Sequence, residues 1–313
     1  MNLLLILRMN NINYIKNKYA YVLKSIKKDT TLKPIVNDLK GKTYLISGAS
    51  RGIGYNIAKK LALSGANVSI IGKTQQMHPR LSGTIYNAAE RINDVARRVC
   101  CHPISCDIRI PNQIDFAIND TLDMFGKIDG VVLNASVLVL KNTLKQTDNE
   151  VDLLSSVNIN GTYLMGKKCL KYIKNSTHPS VLVIAPPIEM LNNDDWWINH
   201  LYYSMSKFNM SIMAKFWNKE FPNVSVNTLW PRTTIATAPV QNLLGGSDIM
   251  NISRKTDIMG DAAEIILKAN PKTCTGKNFI DDEVIASMDI DIEKYRYNNY
   301  KKEKDLMPDF FVN

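Results

Sequence analysis

Histidine and cysteine are scarce in this chain of 313 residues, four and five respectively, and neither is spaced to hold a metal. Cys100, Cys101, Cys106, Cys169 and Cys274 are odd in number and irregular in spacing, which fits neither a disulfide framework nor a zinc ligand set. They read as reduced thiols of an intracellular protein. His78, His102, His178 and His200 form no H-x-x-x-H pair, so no metal site is expected. Long apolar runs are also missing. Nothing approaches the roughly 18 residues a membrane span needs, and Leu3 to Leu7 is too short even for a signal-peptide core.

Acidic residues are absent before Asp29, while Arg8, Lys16, Lys18, Lys24, Lys27 and Lys28 fall in that stretch. Residues 1–38 therefore read as a basic N-terminal extension, either a mitochondrial transit peptide or a disordered arm. Cytoplasmic and peroxisomal locations are the alternatives, although the ending Phe311-Val312-Asn313 is no S-K-L peroxisomal address. Residues 1–40 carry a net +6 of the chain's formal +10, which leaves only +4 scattered over the other 273. That is too little for a phosphate-tracking groove, so nucleic acid is not an expected partner.

With 45% hydrophobic and 22% charged residues, the chain can bury one sizeable core. From Gly41 onward, short aliphatic runs alternate with segments of helical period, which predicts an α/β fold. The expected architecture is a single Rossmann-type, doubly wound parallel sheet of about seven strands with helices on both faces, over residues 39–285. Strands are expected at Thr43–Ile46, Asn67–Ile71, His102–Cys106, Gly130–Leu133, Ser180–Ile184, Val224–Leu229 and near Phe279. Helices are expected at Ile53–Ser64, Thr84–Arg98, Gln113–Phe125, Glu150–Lys174 and Tyr203–Phe221. Residues 286–313 alternate Asp, Glu, Lys and Tyr without an apolar face and are expected to be a loosely attached tail.

The first strand runs into Ser47-Gly48-Ala49-Ser50-Arg51-Gly52-Ile53-Gly54, and helical period begins there. Glycines in such a turn let a pyrophosphate approach the backbone and rest on free N–H groups at the helix start. A structural strand-to-helix turn can look the same. No carboxylate follows the second strand, where a NAD site would place one for the ribose 2′-hydroxyl; Gly72-Lys73 stands there instead. Lys73 and Arg51 are suited to a 2′-phosphate, which favours NADP(H) over NAD(H).

The G-x-x-x-G-x-G spacing resembles the T-G-x-x-x-G-x-G motif of the short-chain dehydrogenase/reductase family, with Ser47 in place of Thr. Further matches follow in the family's order: Asp107 after the third strand, Asn134-Ala135-Ser136 after the fourth, Asn158-Ile159-Asn160-Gly161, and Tyr203-Ser204-Met205-Ser206-Lys207 as a full Y-x-x-x-K. The segments Lys73 to Tyr86, Leu229 to Thr233, Leu243 to Gly246 and Pro308 to Phe311 resemble a hydroxysteroid dehydrogenase-like group within it. Some members of that group carry a C-terminal sterol-carrier domain, for which this chain is expected to end too early.

The resemblance implies roles for named residues. Ser47, Gly48, Ser50, Arg51, Gly52, Ile53, Gly54, Lys73, Asp107, Asn134, Lys207, Pro231 and Thr233 would bind NADP(H), with Ile235 and Thr237 as further carboxamide contacts. Tyr203 would be the acid/base, Lys207 would lower its pKa and hold the nicotinamide ribose, and Asn158 would position a relay water. Four apart in a helix, Tyr203 and Lys207 share a face, and an ammonium nearby favours a phenolate. On periodicity alone they are an ordinary amphipathic pair. The serine expected at the end of the fifth strand is missing. Pro186 takes its place in Ala185-Pro186-Pro187, and no Ser or Thr follows before Tyr202. Asn192, Asn193 and His200 are candidate substitutes, and Trp196-Trp197 is a candidate cleft wall. The segment through Gly245-Gly246 is expected to be a mobile substrate loop.

Three functions stand against one another. One is an NADP(H)-dependent oxidoreductase acting on a small lipophilic carbonyl or alcohol, steroid- or fatty-acyl-like. Another is an NADP(H)-loaded lipid sensor or carrier with weak or no catalysis. The third is a scaffold assembled through helices 150–174 and 203–221, which in the family form a homodimer or homotetramer.

Overall fold

The computed structural model describes residues 29–35, 38–76, 83–192 and 199–311. The basic segment 1–28, His78 to Leu81, Asn193, Trp196, Trp197 and the final two residues lie outside them. Seven parallel strands form one sheet: β1 Thr43–Ser47, β2 Asn67–Gly72, β3 Cys101–Ser105, β4 Gly130–Leu133, β5 Ser180–Ile184, β6 Ser225–Trp230 and β7 Asn278–Ile280. Their order is β3-β2-β1-β4-β5-β6-β7. This is the doubly wound arrangement, and its order reverses between β1 and β4, where such sheets open a crevice for ligands.

Helices alternate with the strands: α1 Gly52–Leu63, α2 Ile85–Ala96, α3 Pro111–Phe125, α4 Asp148–Leu154, α5 Thr162–Ile173, α6 Leu201–Glu220, α7 Gly246–Asn251, α8 Asp257–Lys268 and α9 Asp281–Ser287. Because successive strand residues point to opposite faces, β1 feeds two cores. Tyr44 and Ile46 pack with Ile57, Leu61, Ile92, Met259 and Ile266 on one side. Leu45 packs with Ile114, Met165, Leu170 and Met210 on the other. Fully buried strands such as β4 and β5 read as near-continuous apolar runs.

Three expectations need correction. The segment expected as one helix from Glu150 to Lys174 is broken by a wider, π-helical turn at Ser155–Gly161, a type of bulge common at functional sites. The tail is not loosely attached. Tyr295, Leu306, Phe310 and Phe311 are buried, Glu303 pairs with Arg254, and Pro308 bridges to Thr233. Single apolar residues, rather than a periodic face, hold it down. The segment expected as a mobile loop holds a helical turn at Val240–Leu244 followed by α7.

Helix α8 was not expected, although Ile258, Met259, Ala262, Ala263, Ile266 and Leu267 give the helical period that could have found it. It packs on α1, where Asn56 donates to Thr256 Oγ1 at 2.6 Å. No helix among the described residues is long and apolar enough to cross a membrane. Their cysteines are all buried free thiols, and no cluster of His, Cys, Asp or Glu there could hold a metal ion.

Candidate active site

A cleft of about 490 Å³ opens at the C-terminal ends of β1, β4, β5 and β6. Gly48, Ser50, Arg51, Gly52, Ile53 and Gly54 line one end of it, and Tyr203 and Lys207 also face it. Lys73, Asp107, Asn134 and Pro231 line it as well. Ser47, Asn158 and Thr233 do not, and each works from behind the wall.

The glycine turn is held from β4. Ser47 Oγ accepts from the N–H groups of Asn134 and Ala135, both at 3.0 Å, and Asn134 Nδ2 donates to the carbonyls of Ser47 and Gly48. Gly48 and Gly52 have φ of +67° and +60°, which a side chain would strain. Gly54 fits for a different reason. A Cβ there would stand 2.5 Å from Asn134 Nδ2 and 2.6 Å from the Gly48 carbonyl oxygen. Gly54→Ala is therefore expected to push the turn apart, lowering stability by about 1–3 kcal/mol and weakening dinucleotide binding. Thermal melting with and without NADPH checks this, and an unchanged NADPH-induced rise in Tm would contradict it.

Beyond β2, the cleft gathers Arg51, Lys73 and Arg109 against one carboxylate, Asp107. Arg109 holds Asp107 in a two-pronged ion pair, Nη2 to Oδ2 at 2.6 Å and Nε to Oδ1 at 3.0 Å. This pairing, helped by Lys73, keeps the Asp107 carboxyl below its ordinary range, so it is ionised at neutral pH. Arg51 donates to the carbonyl of Gly83 at 2.8 Å. The local balance is basic. Sequence reasoning missed Arg109, whose signal was its place two residues past Asp107.

At the other end, α6 presents Tyr203 and Lys207 one turn apart, both buried. Lys207 Nζ donates to the Ile184 carbonyl at 2.8 Å and stands 5.0 Å from the centre of the Trp230 ring. Burial pulls its pKa down to about 7, with Asp309 opposing. Tyr203 departs from the expected lowering: burial first, then the charge of Asp309, raises its pKa. The hydrogen bond of Lys207 goes to the end of β5 rather than to the phenol.

The Asn158 side chain is bonded within the protein. Its Oδ1 accepts from Val137 N–H at 2.8 Å, and its Nδ2 donates to the Val137 carbonyl and to Ser206 Oγ. Both amide protons are taken, so the side chain clamps the loop after β4 onto α6. At the place of the missing serine, Ala185 and Pro186 are buried and absent from the cleft wall, and the Pro186 carbonyl accepts from Ser211 Oγ at 2.6 Å. His200 does not line the cleft; its ring stands edge-on to Phe310 at 5.3 Å.

Arg232 follows Pro231 and is nearly fully buried. Its Nε meets both oxygens of Asp282 at 3.0 Å and its Nη2 bonds Glu283. Asp282 also pairs with Arg254 at 3.3 Å, which in turn binds Glu303 at 2.5 Å. One buried network thus ties the turn beside the cleft to α9 and to the C-terminal segment. That segment delivers Asp309 and Phe310 into the cleft wall, beside Tyr203.

A glycine-turn cradle at the strand ends and a Tyr-Lys pair one turn apart across the same cleft define the class. The chain belongs to the short-chain dehydrogenase family, whose profile matches residues 42–244. It is similar to hydroxysteroid dehydrogenase-like protein 2 of Bos taurus, 42% identical over 280 residues, which cover 89% of this chain and 65% of that protein. The chain thus spans slightly under two thirds of that relative's length. Among solved structures, a protein from Xanthomonas campestris matches at 37% identity and a TM-score of 0.81, over 88% of this chain and 99% of that one. The 3-ketoacyl-(acyl-carrier-protein) reductase of Brucella melitensis, solved complexed with NADH, shares the fold at 24% identity and a TM-score of 0.65, over 78% of this chain and 97% of that one.

Proposed function

We propose that the chain is an NADP(H)-dependent oxidoreductase that interconverts a carbonyl and an alcohol on a lipophilic, steroid- or fatty-acyl-like substrate. The observation that carries the reading is the single cleft that joins the glycine turn and its basic far end to Tyr203 and Lys207. A dinucleotide fits the residues present, because the first turn of α1, Gly52, Ile53 and Gly54, lines the cleft and carries no side-chain cap, which leaves helix-start N–H groups for a pyrophosphate. Ser50, Arg51, Gly52 and Ile53 would hold the pyrophosphate. Lys73, with Arg51 and Arg109, would neutralise a 2′-phosphate. Bound there, the cofactor supplies the hydride.

Tyr203 donates its phenolic proton to the oxygen of a carbonyl substrate as that oxygen gains charge, and takes it back in the reverse direction. Lys207, when cationic, stabilises the phenolate left behind. Ser47, Asn134 and Asn158 hold the β1 and β4 loops in register with α6. Val137, Leu138, Val240, Leu244 and Phe310 give the cleft apolar walls, which exclude water and suit a lipophilic substrate.

Fluorescence quenching by NADPH and by NADH tests the cofactor assignment. NADPH is expected to bind at least tenfold more tightly, and Lys73→Glu to erase most of that preference; tighter NADH binding to the unaltered protein would overturn it. A second reading, an NADP(H)-loaded sensor or carrier with weak or no turnover, is favoured by Ala185-Pro186, which offers the substrate oxygen no donor. Loss of one such donor slows a reaction by about a hundred- to a thousandfold, which leaves room for a slow enzyme. We carry two further assignments as proposals. The acid-free, basic first 28 residues point to a mitochondrial address, and Met205, Ile212 and Phe216, exposed along α6, point to a homo-oligomer.

A further inference from the structure

A third apolar cluster lies apart from the two cores on the sheet faces, and it joins Tyr203, Phe208, Trp230 and Leu244 to Phe310 and Phe311 from the far end of the chain. The last residues reach it as an added strand. Pro308 bridges antiparallel to Thr233, the Thr234 N–H donates to the Met307 carbonyl at 2.9 Å, and the Asp309 N–H donates to the Arg232 carbonyl at 2.9 Å. The Met307 N–H in turn donates to the Ile252 carbonyl at 2.8 Å. The two phenylalanines that follow have different tasks. Phe311 is fully buried, stands behind the cleft wall, and packs against Phe208 at 5.1 Å and Trp230 at 5.9 Å, so it is an anchor. Phe310 is 7% exposed and lines the cleft. Its carbonyl accepts from Trp230 Nε1 at 2.9 Å, and its ring stands edge-on to His200 at 5.3 Å and to Tyr203 at 6.3 Å. Backbone and ring contacts together make Phe310 a fixed part of the wall.

We propose that Phe310 is a specificity-determining residue of the substrate end, setting how bulky a group the protein accepts beside the reacting carbonyl. The inference rests on the assignment of Tyr203 as the proton donor. A carbonyl oxygen bonded to the Tyr203 hydroxyl brings the groups that flank the carbonyl along the wall Tyr203 shares with Phe310. Val137 and Leu138 from the loop after β4, with Val240 and Leu244, complete the apolar lining. All four are aliphatic, so the Phe310 ring fills more of this end than any of them. Cutting it back to alanine takes the whole ring out of a packed wall, and surroundings held as these are refill such a space only in part. A bulky substituent then gains room, while a slender chain loses a contact. Discrimination by the size of an apolar pocket is worth roughly ten- to two-hundredfold.

The probes are n-hexyl methyl ketone and cyclohexyl methyl ketone, which have the same number of carbons and differ in bulk beside the carbonyl. Their dissociation constants from the protein saturated with oxidised NADP, measured by ligand-observed NMR titration, require no turnover. Phe310→Ala is expected to shift the ratio of the two constants at least about tenfold in favour of the cyclohexyl ketone, and Phe310→Leu to shift it the same way by less. Phe311→Leu is expected to lower Tm and to leave the ratio as it is in the unaltered protein. With NADPH, the ratio of kcat/KM for the two ketones should follow the binding ratio. NADPH quenching verifies that each variant is folded, and Phe310→Leu decides the matter if Phe310→Ala is not. An unchanged ratio in a folded Phe310 variant, or one shifted as much by Phe311→Leu, overturns the inference, because a ring that serves only the fold would weaken both ketones alike. Failure of the unaltered protein to bind either ketone overturns it as well. A shifted binding ratio without turnover overturns the oxidoreductase reading instead, and leaves Phe310 as the wall of a carrier's pocket.

Discussion

Tyr203→Phe is expected to lower kcat by about 10²–10⁴-fold, the range a positioned proton donor contributes, while leaving NADPH affinity within a few-fold. The phenolic oxygen is the one group that the substitution removes. The ring remains, and with it the packing against Phe310 and Phe311 at 6.3 Å each, so fold and cleft shape should persist. KM should change less than kcat, because the hydroxyl matters most as charge develops on the substrate oxygen. Steady-state kinetics with NADPH and a ketone substrate measures the split. Equal loss in kcat and in NADPH binding would mean that the phenol serves the fold rather than the chemistry.

The second large effect is on stability. Arg232→Ala is expected to cost about 3–5 kcal/mol, a drop on the order of 10 °C in Tm for a domain of this size. The loss does not come from an ion pair being intrinsically strong, since desolvation cancels much of the attraction. It comes from leaving Asp282, fully buried, facing Arg254 without its second partner, and from freeing Glu283. Arg232→Lys should recover part of the loss, because a point charge cannot match the planar fork that meets both oxygens of Asp282. Calorimetric melting at neutral pH decides this, and a Tm within 2–3 °C of the unaltered protein would show the network to be dispensable. Arg232 does more beside the cleft than pair with Asp282. Its N–H donates to Asp281 and its side chain to Asp282 and Glu283, so one residue ties the turn to the start of α9.

What could be read in the sequence was local. Strands such as β4 and β5 are near-continuous apolar runs, the Gly48–Gly54 turn sits between a strand and a helix, and Tyr203 and Lys207 are one helical turn apart. Each of these is visible within a window of a few residues. The contacts that complete the site join residues far apart in the chain. Arg254 meets Glu303 across 49 positions, and Trp230 meets Phe310 across 80. The C-terminal stretch misled for the same reason, since Tyr295, Leu306, Phe310 and Phe311 are isolated apolar residues with no period. Only the folded chain shows that they are buried. Ser47 and Asn158 sit where the motifs put them, yet the structure gives both a task in holding loops, which residue type and spacing could not distinguish from contact with a ligand.

The most direct test of the central claim follows the hydrogen itself. The protein is incubated with NADPH deuterated at either C4 position and a panel of lipophilic aldehydes and ketones, and the products are read by mass spectrometry. One of the two labels is expected in the carbinol carbon of at least one product alcohol, and Tyr203→Phe should reduce that transfer by at least a hundredfold. NADPH binding without deuterium in any product would contradict the account and leave the carrier reading in its place.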